Sequence, residues 1–208
     1  VVAGDYAFAA VAWHPLDAGC FASKTRVHAV ELGVAQEARA SRGVSGSVLG
    51  DGVAAGGTVY FASGADEELF AVDALPPFDL DRLALPGVPA NGAAAGGRAF
   101  FPLFFRDSVW SQPEGAAGEE IAVTSPLDAV ASGGKIYVSS AAGSVAEIDP
   151  TTSSVLRDIP ACAGAGPITA TSGGTHVHAC DGGGAGVHDN ASGAFSMEGA
   201  SLTLAGLS

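Results

Sequence analysis

Residues 129–160 read A-V-A-S-G-G-K-I-Y-V-S-S-A-A-G-S-V-A-E-I-D-P-T-T-S-S-V-L-R-D-I-P. Turn formers cut this stretch into four short runs rich in β-branched and small apolar residues: Ala129–Ser132, Ile136–Ser139, Val145–Ile148 and Val155–Ile159. Gly133-Gly134, Ala141-Ala142-Gly143 and Asp149-Pro150-Thr151-Thr152 make the turns, because Gly takes left-handed backbone freely, Asp caps its own turn and Pro presets the next φ. The stretch therefore predicts a four-stranded antiparallel meander. A meander of this size cannot bury both its faces alone, so its neighbours must cover them.

Those neighbours are copies. Phe21-Ala22-Ser23 recurs as Phe61-Ala62-Ser63, and similarly small residues stand at Val138-Ser139-Ser140 and His178-Ala179-Cys180. The glycine pairs Gly56-Gly57, Gly96-Gly97, Gly133-Gly134 and Gly173-Gly174 follow one another at intervals of 40, 37 and 40 residues. A fixed period of this size marks a repeat architecture, and four strands per repeat mark a β-propeller, in which each sheet is a blade. The expected fold is thus all-β, about five blades of about 40 residues each, with a fragment of a six- or seven-bladed ring as the alternative. One domain is expected over residues 1–208, in units of approximately 1–43, 44–88, 89–126, 127–163 and 164–208. The first unit is read as Phe8–Trp13, Gly19–Ser23, Val27–Leu32 and Val34–Ala38, with His14–Ala18 in place of the Gly-Gly turn. Val1–Ala3 reads as a strand fragment before it and Ser201–Gly206 as a strand after the fifth unit. Pairing of one terminus with the blade begun by the other would close the ring without an open edge.

The fourth unit resembles a blade of the YVTN/PQQ-like propellers in the run K-I-Y-V followed by I-D-P-T-T-S-S-V, over Lys135–Pro160. Val11–Leu32, V-A-W-H-P-L-D-A-G-C-F-A-S-K-T-R-V-H-A-V-E-L, is similar to a WD40 blade, although Glu31-Leu32 stands where Trp-Asp would be and there is no Gly-His pair. The resemblance implies a scaffold and carries no functional residues with it.

Composition limits the function. Hydrophobic residues make up 48% of the chain and charged ones 15%, enough apolar material for a large core. The net charge of −13, with two lysines and seven arginines, repels a phosphate backbone, so nucleic acid is not an expected partner. No apolar run is long enough for a membrane-spanning helix. Gly182-Gly183-Gly184 lacks the lysine and helix of a phosphate loop, no G-x-S-x-G elbow occurs, and no cofactor is expected.

In a propeller, loops leaving the second strands and entering the first gather around the central channel, and that face usually binds. Here they would be Lys24–Arg26, Gly64–Glu68, Phe105–Asp107, Ala141–Gly143, Asp181–Gly184, Ser41–Val48, Pro86–Asn91 and Ala161–Gly166. The third unit concentrates aromatic residues there. Strand alternation forbids Phe104 and Phe105 from sharing one packed layer, which makes Phe104, Phe105, Arg106 and Trp110 the expected contact set for a protein partner. A small ligand or glycan on the channel face, or a propeller enzyme with converging carboxylates, is the competing expectation.

His176, His178 and Cys180 alternate along one strand and could hold a metal, with His188 as a fourth ligand. The stronger expectation is packing, since Val59 and Phe61, and Ile136 and Val138, stand at the equivalent positions of other units. Cys162 and Cys180 approach the same face in the propeller frame, where a disulfide and two buried thiols are equally open. With Cys20 the cysteines number three, which leaves the compartment open. Asn190-Ala191-Ser192 has the N-glycosylation pattern in a turn.

Overall fold

The computed structural model describes residues 1–13, 24–33, 38–45, 48–63, 66–171, 174–181, 184–190, 192 and 194–198. The first sheet is β1 (Val2–Ala3), β2 (Tyr6–Trp13), β3 (Lys24–Glu31) and β4 (Ala38–Ser45), and the second is β5 (Val48–Ala55), β6 (Thr58–Ser63), β7 (Glu68–Asp73) and β8 (Leu80–Ala84). The third contains β9 (Val88–Pro89), β10 (Ala93–Ala95), β11 (Arg98–Phe104), β12 (Ser108–Pro113) and β13 (Glu119–Ala122). The fourth is β14 (Pro126–Ser132), β15 (Lys135–Ser140), β16 (Ser144–Asp149) and β17 (Ser154–Pro160); the fifth is β18 (Ile168–Ala170), β19 (Thr175–Ala179), β20 (Ala185–Asp189) and β21 (Phe195–Glu198). All pairings are antiparallel and follow chain order, except that β9 and β10 both pair with β11.

Period-two alternation gives each blade two faces, and both are used. In β6, Val59 and Phe61 pack on Phe8, Val27 and Ala29 of the first sheet, while Tyr60 and Ala62 pack on Ala99, Phe101 and Leu103 of the third. In the third and fourth sheets, Phe100 and Val109 meet Ile136, Val138 and Ile148, whereas Tyr137 and Val145 turn the other way toward Ile168. The first strands approach one another in succession, β5 against β10, β10 against β14, and β14 against β18. This is the face-to-face stacking of blades about an axis that the repeats predict.

The first sheet corrects the sequence reading. Phe8–Trp13, read as a first strand, belongs to the second, β2, because Val2–Ala3 pairs with it at Val2↔Ala7. The third strand begins at Lys24, paired with Trp13, so Lys24–Arg26 lie in β3 rather than in a channel loop. Likewise Ser41–Ser45 belong to β4 and Val48 opens β5. The strand expected at Gly19–Ser23, the terminal strand at Ser201–Gly206 and Cys20 lie outside the described residues.

Candidate functional site

The third blade's first strand is interrupted. β9 ends at Pro89 and β10 starts at Ala93, and the intervening Ala90 donates its N–H to Pro102 O at 2.8 Å. Gly92 is required here: a Cβ would stand 2.5 Å from the Phe101 ring and 2.7 Å from Phe100 O. The fourth blade's first strand is irregular as well. Pro126 opposes Ser140 and Asp128 opposes Ser139, so Leu127 is the extra residue of a bulge, a device that re-aims side chains.

Between these interruptions lies a cavity of about 420 Å³, lined by Ala90, Asn91, Phe104, Leu127, Asp128, Gly166 and Pro167 from the third, fourth and fifth blades. Phe104 and Leu127 also line a second cavity of about 300 Å³, with Phe105, Arg106, Asp107, Ser125 and Pro126. The two share Phe104 and Leu127 and form one site. Its rim carries unusual backbone: Phe105 and Ser125 sit at φ 60° and 44°, two of the four non-glycine residues at positive φ among the described residues. A bulky residue in this region is strained by about 1–3 kcal/mol and persists where its surroundings hold it. Here Asp107 Oδ1 accepts the Ser125 N–H at 2.8 Å, locking the two rim segments together.

The expected contact residues divide. Phe105 is 101% exposed, with its ring 6.2 Å from that of half-buried Phe104. Arg106 stands beside them but is tied down, donating to Pro86 O at 2.6 Å and pairing with Glu120 at 3.5 Å. Trp110 is elsewhere: it packs against the core shared by the second and third blades and donates its indole N–H to Gln112 Oε1. The structure therefore brings Phe104, Phe105 and Arg106 together and leaves Trp110 apart.

Asp128 is the site residue that sequence reading missed. Its Oδ2 accepts the N–H of Ile168 in the fifth blade at 3.0 Å, and its Oδ1 that of Ala129 at 2.9 Å. Burial pushes its carboxyl above the usual carboxylate range, and the two N–H donors oppose that rise. An acidic residue within the mainly apolar run P-L-D-A-V-A was the available signal. Asp128→Ala is expected to cost about 1–3 kcal/mol, the usual penalty for removing a buried partner, read as a lower urea midpoint.

The histidines are packed, as the repeat alignment implies. His176, His178 and His188 are each 0% exposed and stack on adjacent strands, His176 on His188 at 4.7 Å and His178 on His188 at 5.2 Å. His176 also lies 4.5 Å from Tyr137 of the fourth blade and hydrogen-bonds through Nδ1 to Asn190 Oδ1. Asn190 Nδ2, the atom a glycan would occupy, donates to Ser132 Oγ at 2.8 Å. Burial above all, and the neighbouring imidazoles after it, depress His178 and His188 to about 4; burial also lowers His176, against the opposing hydrogen bond from Asn190. Cys180 is joined to Cys162 in a disulfide with Cα atoms 5.7 Å apart, which decides between the two states left open by the sequence.

No protein-family model matches the chain, and no curated protein matches it. Solved structures do. It is similar to BamB from Moraxella catarrhalis (14% identity, TM-score 0.64, covering 90% of this chain and 62% of that one) and to Kluyveromyces lactis Hsv2 (9%, 0.63, 89% and 62%). It is also similar to hydrazine synthase of Kuenenia stuttgartiensis (20%, 0.59, 71% and 48%). The chain thus spans about half to three fifths of the length of these structures. With the stacked four- and five-stranded sheets, the likeness shows that this chain has a β-propeller repeat fold.

Proposed function

We propose that the protein is a non-catalytic propeller module that docks a protein partner on the face formed by Phe105, Phe104 and the joined cavities. The observation that carries this reading is Phe105, a large aromatic held in a strained backbone conformation and wholly in solvent. Packing gives no reason for such a residue, whereas aromatic anchors beside desolvated pockets dominate binding energy at interfaces. The partner would offer an apolar side chain to the cavity walled by Phe104, Leu127 and Pro167. The disulfide fits a compartment in which such bonds persist.

Hydrazine synthase shows that a chain with this fold can belong to an enzyme, so a catalytic reading has a claim. A glycosidase-type site needs two facing carboxyls. Among the described residues the joined cavities are lined by two, Asp128 and Asp107; both oxygens of Asp128 accept backbone N–H groups, and Asp107 Oδ1 accepts that of Ser125. That favours binding.

Phe105→Ala is expected to weaken partner association at least about tenfold in pull-downs from the native source, by the loss of an anchor, while leaving stability within about 0.5 kcal/mol. Unchanged association would overturn the reading. A glycan array that loads the wild-type cavity would favour a lectin instead.

A further inference from the structure

Three metal-ligating side chains meet in the fifth blade, behind the segment that brings Gly166 and Pro167 to the larger cavity. Cys162 precedes β18, His178 lies on β19 and Cys180 follows it; all are buried, and their ligand atoms lie within 4.8 Å of one another. The two sulfurs are bonded to each other, so the closed form offers no thiolate. The backbone that positions them has its own fastening. Gly166 N–H donates to Ala179 O at 2.8 Å, Ala179 N–H to Pro167 O at 3.0 Å, Asp181 N–H to Ala163 O at 3.0 Å and Cys180 N–H to Gly184 O at 2.9 Å. Asp128 fixes Ile168 from the fourth blade. Opening the disulfide therefore leaves two thiols and an imidazole in one place.

We propose that reduction of Cys162–Cys180 converts this corner into a binding site for a soft divalent cation of the zinc type, with Cys162 Sγ, Cys180 Sγ and a ring nitrogen of His178 as ligands. A dithiol supplies two electrons and two protons to the disulfide and itself closes to a disulfide. The cation then displaces both thiol protons to solvent, and the two thiolates neutralise its charge inside a buried site. Two sulfurs and one imidazole are a common zinc donor set, with water in the fourth tetrahedral position. This cation site makes no use of a docked partner, of Phe104 or of Phe105, and survives the failure of the docking reading.

The test uses the full chain carrying Cys20→Ser, which removes the third thiol. One sample is reduced with a phosphine, which leaves as its oxide, and freed of reductant; the other is left oxidised. Both are titrated with cobalt(II) under nitrogen. The reduced protein is expected to bind one equivalent, with thiolate-to-cobalt charge-transfer absorption that zinc abolishes, and the oxidised protein none. His178→Ala is expected to weaken binding at least about 100-fold, the upper end of the cost of losing even an outer partner of a metal ligand, with both thiols still titratable. The proposal is overturned by equal binding to both forms, by His178→Ala binding as tightly as its parent, or by loss of the β circular dichroism on reduction.

Discussion

Acidification from about pH 6.5 to about pH 4 is expected to remove several kcal/mol of stability, seen as a falling urea midpoint at each step of a pH series. His178 and His188 have folded-state pKa values of about 4, against about 6.5 for free histidine. Above pH 6.5 neither the folded nor the unfolded chain protonates them. Between the two values only the unfolded chain takes up the protons, which favours unfolding by roughly 3 kcal/mol per histidine once pH 4 is reached. Charge on these rings is opposed by their charged neighbours as well: His176 acts on both, and Arg157 acts on His188. His188→Leu is expected to remove about half of this pH dependence, since one of the two strongly shifted groups is gone. A wild-type midpoint that stays flat from pH 6.5 to 4 would refute the account.

Phe101→Ala is expected to cost about 3–5 kcal/mol, the usual loss for deleting a buried aromatic ring. Phe101 is 0% exposed, meets Tyr60 edge-on at 6.4 Å between the second and third blades, and fills the space that a side chain on Gly92 would need. Gly92 adjoins Asn91, so the ring also supports one wall of the cavity. The substitution is therefore expected to weaken partner association together with stability, whereas Phe105→Ala changes association alone. A loss below about 1 kcal/mol would show that the blades close over the missing ring.

The blades from the second to the fifth were legible because their turns are written in local chemistry: Gly56-Gly57, Gly96-Gly97, Gly133-Gly134, Asp149-Pro150. The first blade was misframed because Phe21-Ala22-Ser23 matches Phe61-Ala62-Ser63 in composition, while the pairing of Trp13 with Lys24 is a tertiary fact with no local signature. The exposed aromatic was readable from alternation, since Phe104 and Phe105 cannot share a layer. The cavity was not. It depends on the bulge at Leu127 and on Asp128 reaching Ile168, 40 residues away. The burial of the histidines follows from the analogy with Val59 and Phe61, but their link through Asn190 to Ser132 spans 58 residues.

The larger cavity is a gap between three rigid sheets rather than a hollow within any one of them. Whatever fills it touches three blades at once, holds the angles between them, and binds the folded chain in preference to the unfolded one. By mass action an occupant of this cavity would be a fastener as well as a ligand, adding stability that grows with the logarithm of its concentration. A propeller built this way is at its firmest when it is engaged.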